Sequence, residues 1–186
     1  MKWGKEFSLT INNGRVKNIS FIRNTLDNIY TGAGVLAGAC IVLITVMILA
    51  QIVGRWFGVI IPSTEDFSGY LLAAASFLAL AYTFRNGGHI RVTLLIHLLS
   101  SSLQHKLMYL VLIVFAIITG FGAYHLCYLV YESWIFHELS QGYIAVPIWI
   151  PQLPMALGAV LFFIALIDDI VSSLFGHTPT FLKLEE

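Results

Sequence analysis

From Ile29 to Gly54 the chain carries no charged side chain, and Gln51 is the single strongly polar one. A helix rises about 1.5 Å per residue, so roughly 17–25 apolar residues cross a hydrocarbon core of about 30 Å. The run is long enough to do so, and it reads as a transmembrane helix. Composition points the same way: of 186 residues, 58% are apolar and 11% charged, whereas a soluble domain carries about 25% charged residues. So few charges cannot coat a globule in water. The formal net charge of zero removes the electrostatic basis for nucleic-acid binding.

Three further runs reach spanning length. Phe67 to Phe84 is rich in small residues (Ser68, Gly69, Ala73, Ala74, Ala75, Ser76, Ala79, Ala81), and because lipid tails leave helices no reason to hide leucine, such residues associate helices by close packing. This span is therefore the one expected to face protein. Leu107 to Tyr131 follows, ending before Glu132, and then Pro151 to about Phe175, with Pro154 placed in the first turn, where a missing N–H is tolerated. The division is a cytoplasmic or interfacial segment 1–28, a four-helix membrane domain 29–175 with spans near 29–54, 67–84, 107–131 and 151–175, and a cytoplasmic tail 176–186. The fold class is an all-α integral membrane protein.

Lys and Arg set the orientation, because loops rich in them stay in the cytoplasm. Lys2, Lys5, Arg15, Lys17 and Arg23 precede the first span and Arg85, Arg91 and Lys106 follow the second, against Arg55 alone in the opposite connections. Both termini are then cytoplasmic, with outer loops at about 55–66 and 132–150. Trp56, Trp134, Tyr143 and Trp149 gather in those loops, at the headgroup level that amphipathic rings prefer. Val16, Ile19, Ile22, Leu26 and Ile29 recur at helical spacing with Lys17 and Arg23 between them, the pattern of an interfacial helix. Ile90, Leu94 and Leu98 predict a second in-plane segment at 90–99.

Little chemistry lies within the spans. Cys40 and Cys127 lack the spacing of a redox or zinc motif and read as packing residues. The Leu36–Cys40 stretch resembles a lipoprotein cleavage site, but a long polar segment precedes it and the apolar run continues past it, unlike a signal peptide. Ionisable groups inside a membrane are costly and mark function by default. Here they are His125 and, near the end of the fourth run, Asp168 and Asp169. For His125 a proton path or haem ligation is the sharp reading, but no second in-span histidine offers a partner. The plain reading is a histidine hydrogen-bonded among Tyr124, Tyr128 and neighbouring helices. Asp168 and Asp169 are read as marking the cytoplasmic end of the fourth helix. Arg55 closes the first helix, and Glu65 and Asp66 open the second behind Ser63 and Thr64, each suited to its helix dipole and cap. The three charges lie near one depth, to pair across the hairpin or to meet a partner.

A carrier gathers polar or broken helices around a midplane substrate, which these spans lack. The residues therefore point to a helper or scaffold, with no enzymatic activity, no bound cofactor and no metal. Two other classes stay open. A four-helix membrane oxidoreductase calls for paired histidines or loop cysteines, and a self-sufficient oligomeric transporter would move solute by itself.

Four short elements, in order, carry a family resemblance: Arg55-Trp56-Phe57-Gly58; Glu65-Asp66; Arg85 with His89-Ile90 and Val92; and Val146-Pro147-Ile148-Trp149 followed by Pro154 and Gly158. Over about 26–175 the chain resembles the small membrane subunit, the Q subunit, of tripartite ATP-independent periplasmic (TRAP) transporters. Asp66 replaces the more usual second glutamate, and Thr93 stands where an aspartate often follows, so that aspartate's roles do not transfer. The resemblance implies a bacterial inner-membrane protein bound to a large many-helix subunit that moves an organic-acid-type solute on a sodium gradient. A periplasmic solute-binding protein delivers the solute. The candidate structural or partner contacts are Arg55, Glu65, Asp66, Gly69, Ala73, Arg85, His89, Glu138 and Trp149, with membrane lipid as the remaining partner.

Overall fold

The computed structural model describes the backbone of residues 3–86 and 101–174, and the side chains of 24–86, 106–107 and 109–172. These residues form four helices: α1 (Trp3–Trp56), α2 (Thr64–Arg85), α3 (Ser101–Ile135) and α4 (Trp149–Leu174). Each contains a stretch long and apolar enough to cross a membrane, at Asn24–Trp56, Thr64–Arg85, Tyr109–Ile135 and Trp149–Ser172. Met1–Gly32 forms one compact unit and Ala33–Glu186 another. In the first, Thr31 Oγ1 donates to the Asp27 carbonyl one turn back, a local bond that lets a hydroxyl sit on a membrane helix without an orphan donor. The segment 90–99, His89 and the tail 176–186 lie outside the described residues.

In the second unit α4 packs against both α2 and α3. Where Gly158 of α4 meets α2 it faces the backbone of Phe77 and Leu78, and ten residues later Asp168 meets Arg85. Contact positions thus rise together along the two helices, so α2 and α4 run in the same direction. Against α3 the numbers move oppositely: Phe163 lies on Gly120, and Trp149 on Trp134. That pair is antiparallel.

Small residues make this closeness possible. Ala74, Ala75, Leu78 and Ala81 form the buried face of α2, and Ala156, Ala159, Phe162, Ala165 and Leu166 that of α4. Phe162 bridges the two interfaces, its ring edge-on to Phe84 of α2 at 5.8 Å and to Phe115 of α3 at 5.6 Å. In α1, Ala33 and Ala37 join Ala75 and Leu78 in one cluster, flanked by Cys40, Ala79 and Leu161. The buried share of each span's most apolar window is 33% for the fourth, 22% for the second, 17% for the third and 11% for the first. The most enclosed helix is therefore α4, and α2, the span expected to face protein, comes second.

Several boundaries differ from the expectation: α1 runs without a break from Trp3 to Trp56, so no helix end separates the segment before 29 from the first span. α3 continues through Glu132, Ser133 and Trp134 to Ile135, so the connection to α4 is 136–148. Ser133 is fully buried there, which a loop beginning at 132 would not have placed. α4 opens at Trp149, putting Pro154 inside the helix rather than in its first turn; its missing N–H leaves the Ile150 carbonyl without the usual i+4 donor. α2 begins at Thr64, with Ser63 at its N-cap position.

Candidate functional site

One end of the bundle is built from two interlocking turns. α1 stops at Trp56, where Phe57 N–H and Val59 N–H both donate to the Gly54 carbonyl, at 3.0 and 2.8 Å. Gly58 takes a φ of 72° there, a left-handed conformation that glycine adopts without steric cost and that commonly terminates helices. Trp56, Phe57 and Ile60 project from this turn at 80%, 79% and 84% exposure. Ser63 is also left-handed, at φ 57°, and makes no side-chain cap bond to α2. Its Oγ instead accepts from Ile144 N–H at 2.9 Å, tying the first turn to the second. The expected cap is thus replaced by a long-range tie, while Thr64 donates back to the Ile61 carbonyl at 3.2 Å.

The second turn is a small closed frame. Leu139 and Pro147 form an antiparallel bridge, Ser140 N–H donates to the Val146 carbonyl at 2.8 Å, and Ile148 N–H donates to the Glu138 carbonyl at 3.0 Å. Val146 N–H returns to Ser140 Oγ at 3.0 Å. At its base Ser133 Oγ donates to Glu138 Oε2 at 2.9 Å, and Trp134 and Trp149 meet edge to face at 4.8 Å. Trp149 therefore serves to join the ends of α3 and α4.

The hairpin charges do not pair with one another. Among the described residues Arg55, Glu65 and Asp66 form no ion pair; Arg55 and Glu65 are exposed, and the Asp66 carboxylate lies against Gly142 so closely that a Cβ there would collide with it. Gly142 is thus the residue that admits Asp66 to the second turn. Among the described residues a Cβ at Gly69 would meet no heavy atom of another element within 4 Å, and Ala73 is half-buried.

At the other end Arg85 Nη1 donates to Asp168 Oδ2 at 3.0 Å, the side chains only 18% and 19% exposed. Asp169 is 1% exposed. The two acids do not mark the helix end, because α4 runs on to Leu174; Asp168 is accommodated inside the helix by the guanidinium that closes α2. A pairing between residues 83 apart leaves no local trace in the sequence. The Ser63 tie, to a residue 81 positions away, is hidden for the same reason, whereas those of Ser133 and Ser140 reach only 5 and 6 residues along the chain, and Pro147 facing Leu139 is compatible with a short bridge.

His125 departs from the plain expectation. It is exposed on α3 rather than packed between helices, with its ring 4.3 Å from that of Phe121 and 5.4 Å from that of Tyr124. Cys127 is also exposed on α3, and Cys40 is half-buried.

A family model described as "Tripartite ATP-independent periplasmic transporters, DctQ component" matches residues 44–176. The match takes in the end of α1, all of α2, α3 and α4, and both interlocking turns. Comparison with individual curated proteins finds no match. With well over half of its length inside the family model and four helices of membrane-spanning length, this chain belongs to the DctQ component family of tripartite ATP-independent periplasmic transporters, as a multi-pass protein of the inner membrane.

Proposed function

We propose that the chain is the static brace of a sodium-driven uptake system. It holds a large many-helix subunit in place while that subunit carries an organic-acid-type solute delivered by a periplasmic binding protein. The supporting observation is that α2 and α4 are tied at three levels. Ser63 and Asp66 engage the second turn, Gly158 sits on the α2 backbone at mid-length, and Arg85 meets Asp168 at the far end. Helices so joined move as one piece, as a brace requires, whereas a carrier alternates its access by rocking or gating one group of helices against another around the solute.

In this reading the interlocked turns face the periplasm and both termini the cytoplasm. The exposed Arg55, Glu65 and Glu138 meet the docked binding protein, and Gly69, open on the outside of α2, meets the large subunit. Sodium binds in the large subunit, and this chain is neither an enzyme nor a cofactor carrier.

Reconstitution tests the proposal. Vesicles holding this chain and the large subunit, supplied with binding protein and a sodium gradient, should accumulate solute, and vesicles holding either membrane protein alone should not. Full uptake by the large subunit alone would remove the bracing role; uptake by this chain alone would make it the carrier. Reversing the charges of Arg55, Glu65 and Glu138 together should slow uptake at limiting binding protein. Unchanged docking and uptake would withdraw those three contacts.

A further inference from the structure

The exposed face of α3 changes character along its length. Toward Tyr109 it is aliphatic, with Val114, Ile117 and Ile118 exposed, whereas farther on it carries Phe121, Tyr124, His125, Tyr128 and Tyr131. Tyr128 has a polar neighbour within the chain, the Glu132 carboxylate one turn on. For His125 the described residues supply two ring contacts, Phe121 and Tyr124, and no hydrogen bond.

Depth makes this significant. The Trp134–Trp149 pair marks the headgroup level by the preference of indole for that region, and His125 lies nine residues from Trp134, about 13–14 Å along the helix. In a core about 30 Å thick that is close to the midplane. The midpoint of the spanning stretch Tyr109–Ile135 is residue 122, which gives the same answer. Lipid tails hold no acceptor for an imidazole N–H, and polar side chains at such depth turn toward protein. A neighbouring helix bearing a carbonyl, hydroxyl or carboxylate provides one, and hydrogen bonds of this kind join helices across a membrane.

We propose that the Phe121, Tyr124 and His125 face of α3 is a docking surface for a membrane-spanning helix of the large transport subunit, which presents a hydrogen-bond acceptor to His125. The inference rests on the bracing role above and adds the surface through which it acts. The occupant is the large subunit because the family is one component of a multi-component transporter, and a brace must hold its partner within the bilayer.

The test uses the assembled complex. A photo-reactive phenylalanine analogue replaces Tyr124, and in a second sample Val42, which is 62% exposed on α1. Irradiation should give an adduct with the large subunit from position 124 at least tenfold more abundant than from position 42. Adducts from position 124 with lipid alone, or with a second copy of this chain, would overturn the proposal. In parallel, His125→Leu should lower the large subunit recovered on purification several-fold, and His125→Gln, which keeps an N–H donor, should restore most of it. Equal recovery with His125→Leu would also overturn it. Because residue 125 is exposed, these variants should retain the unfolding midpoint of the unmodified chain. If the unmodified chain recovers no large subunit, the bracing role fails; if the complex forms but position 124 does not reach the large subunit, only the surface fails.

Discussion

Replacing Gly158 by alanine should loosen the whole bundle from its middle. A Cβ at this position would lie 2.8 Å from Leu78 N and closer still to the Phe77 carbonyl carbon. Comfortable separation is about 3.5–4.0 Å, so α2 and α4 must part by about 1 Å. The obstacle is backbone, which has no rotamer to change. A gap of 0.5–1 Å forfeits about a quarter to a half of each contact's attraction, and those contacts hold Ala74, Leu78, Ala156, Ala159 and Phe162. Overpacking of this kind costs about 1–3 kcal/mol, and the better helix propensity of alanine returns about 1 kcal/mol. With an immovable backbone the cost belongs at the upper end, for a net loss of about 2 kcal/mol, or roughly 30-fold in the folding equilibrium. Equilibrium unfolding in mixed micelles measures it, with Gly69→Ala as control because, among the described residues, a Cβ there would meet no atom of another element within 4 Å. If Gly158→Ala proved as stable as Gly69→Ala, the backbone contact would not be what sets the spacing of α2 and α4.

Other consequences are smaller or more local. Gly120→Ala should cost less than Gly158→Ala in the same assay, because the obstructing atoms belong to the Phe163 ring, which can turn aside. Arg85→Ala and Asp168→Ala should each destabilise by about 1–3 kcal/mol, since either removes one side of a mostly buried ion pair. The double variant should lose less than the sum, as a double-mutant cycle reads directly; strict additivity would show the 3.0 Å pair to be energetically idle. Ser63→Ala removes the acceptor for Ile144 N–H and should speed protease cleavage within 138–148. An unchanged cleavage rate would mean that the frame of the second turn holds by itself.

Membrane residence, four spans and the family were legible in the linear sequence, because each depends on properties carried locally. Uninterrupted apolar length is one, as from Ile29 to Gly54, and short ordered elements such as Arg55-Trp56-Phe57-Gly58 are another. The expectation that small residues in α2 would pack closely was also readable, since Gly and Ala permit close approach wherever they occur. Which small residue bears on which helix was not. Gly158 and Phe77, Asp168 and Arg85, and Ser63 and Ile144 are each paired across 80 or more positions, and nothing in the neighbourhood of one announces the other. For that reason Asp168 looked like a helix end and Ser63 like a cap. His125 shows the same division: its place within a span could be read from the residues around it, but that it faces outward rather than into the bundle was decided by which side of α3 packs on α4. Periodic patterns report the faces of a helix only when polarity differs between them. In a membrane both the protein-facing and the lipid-facing side are apolar, so the choice between them rested with tertiary packing.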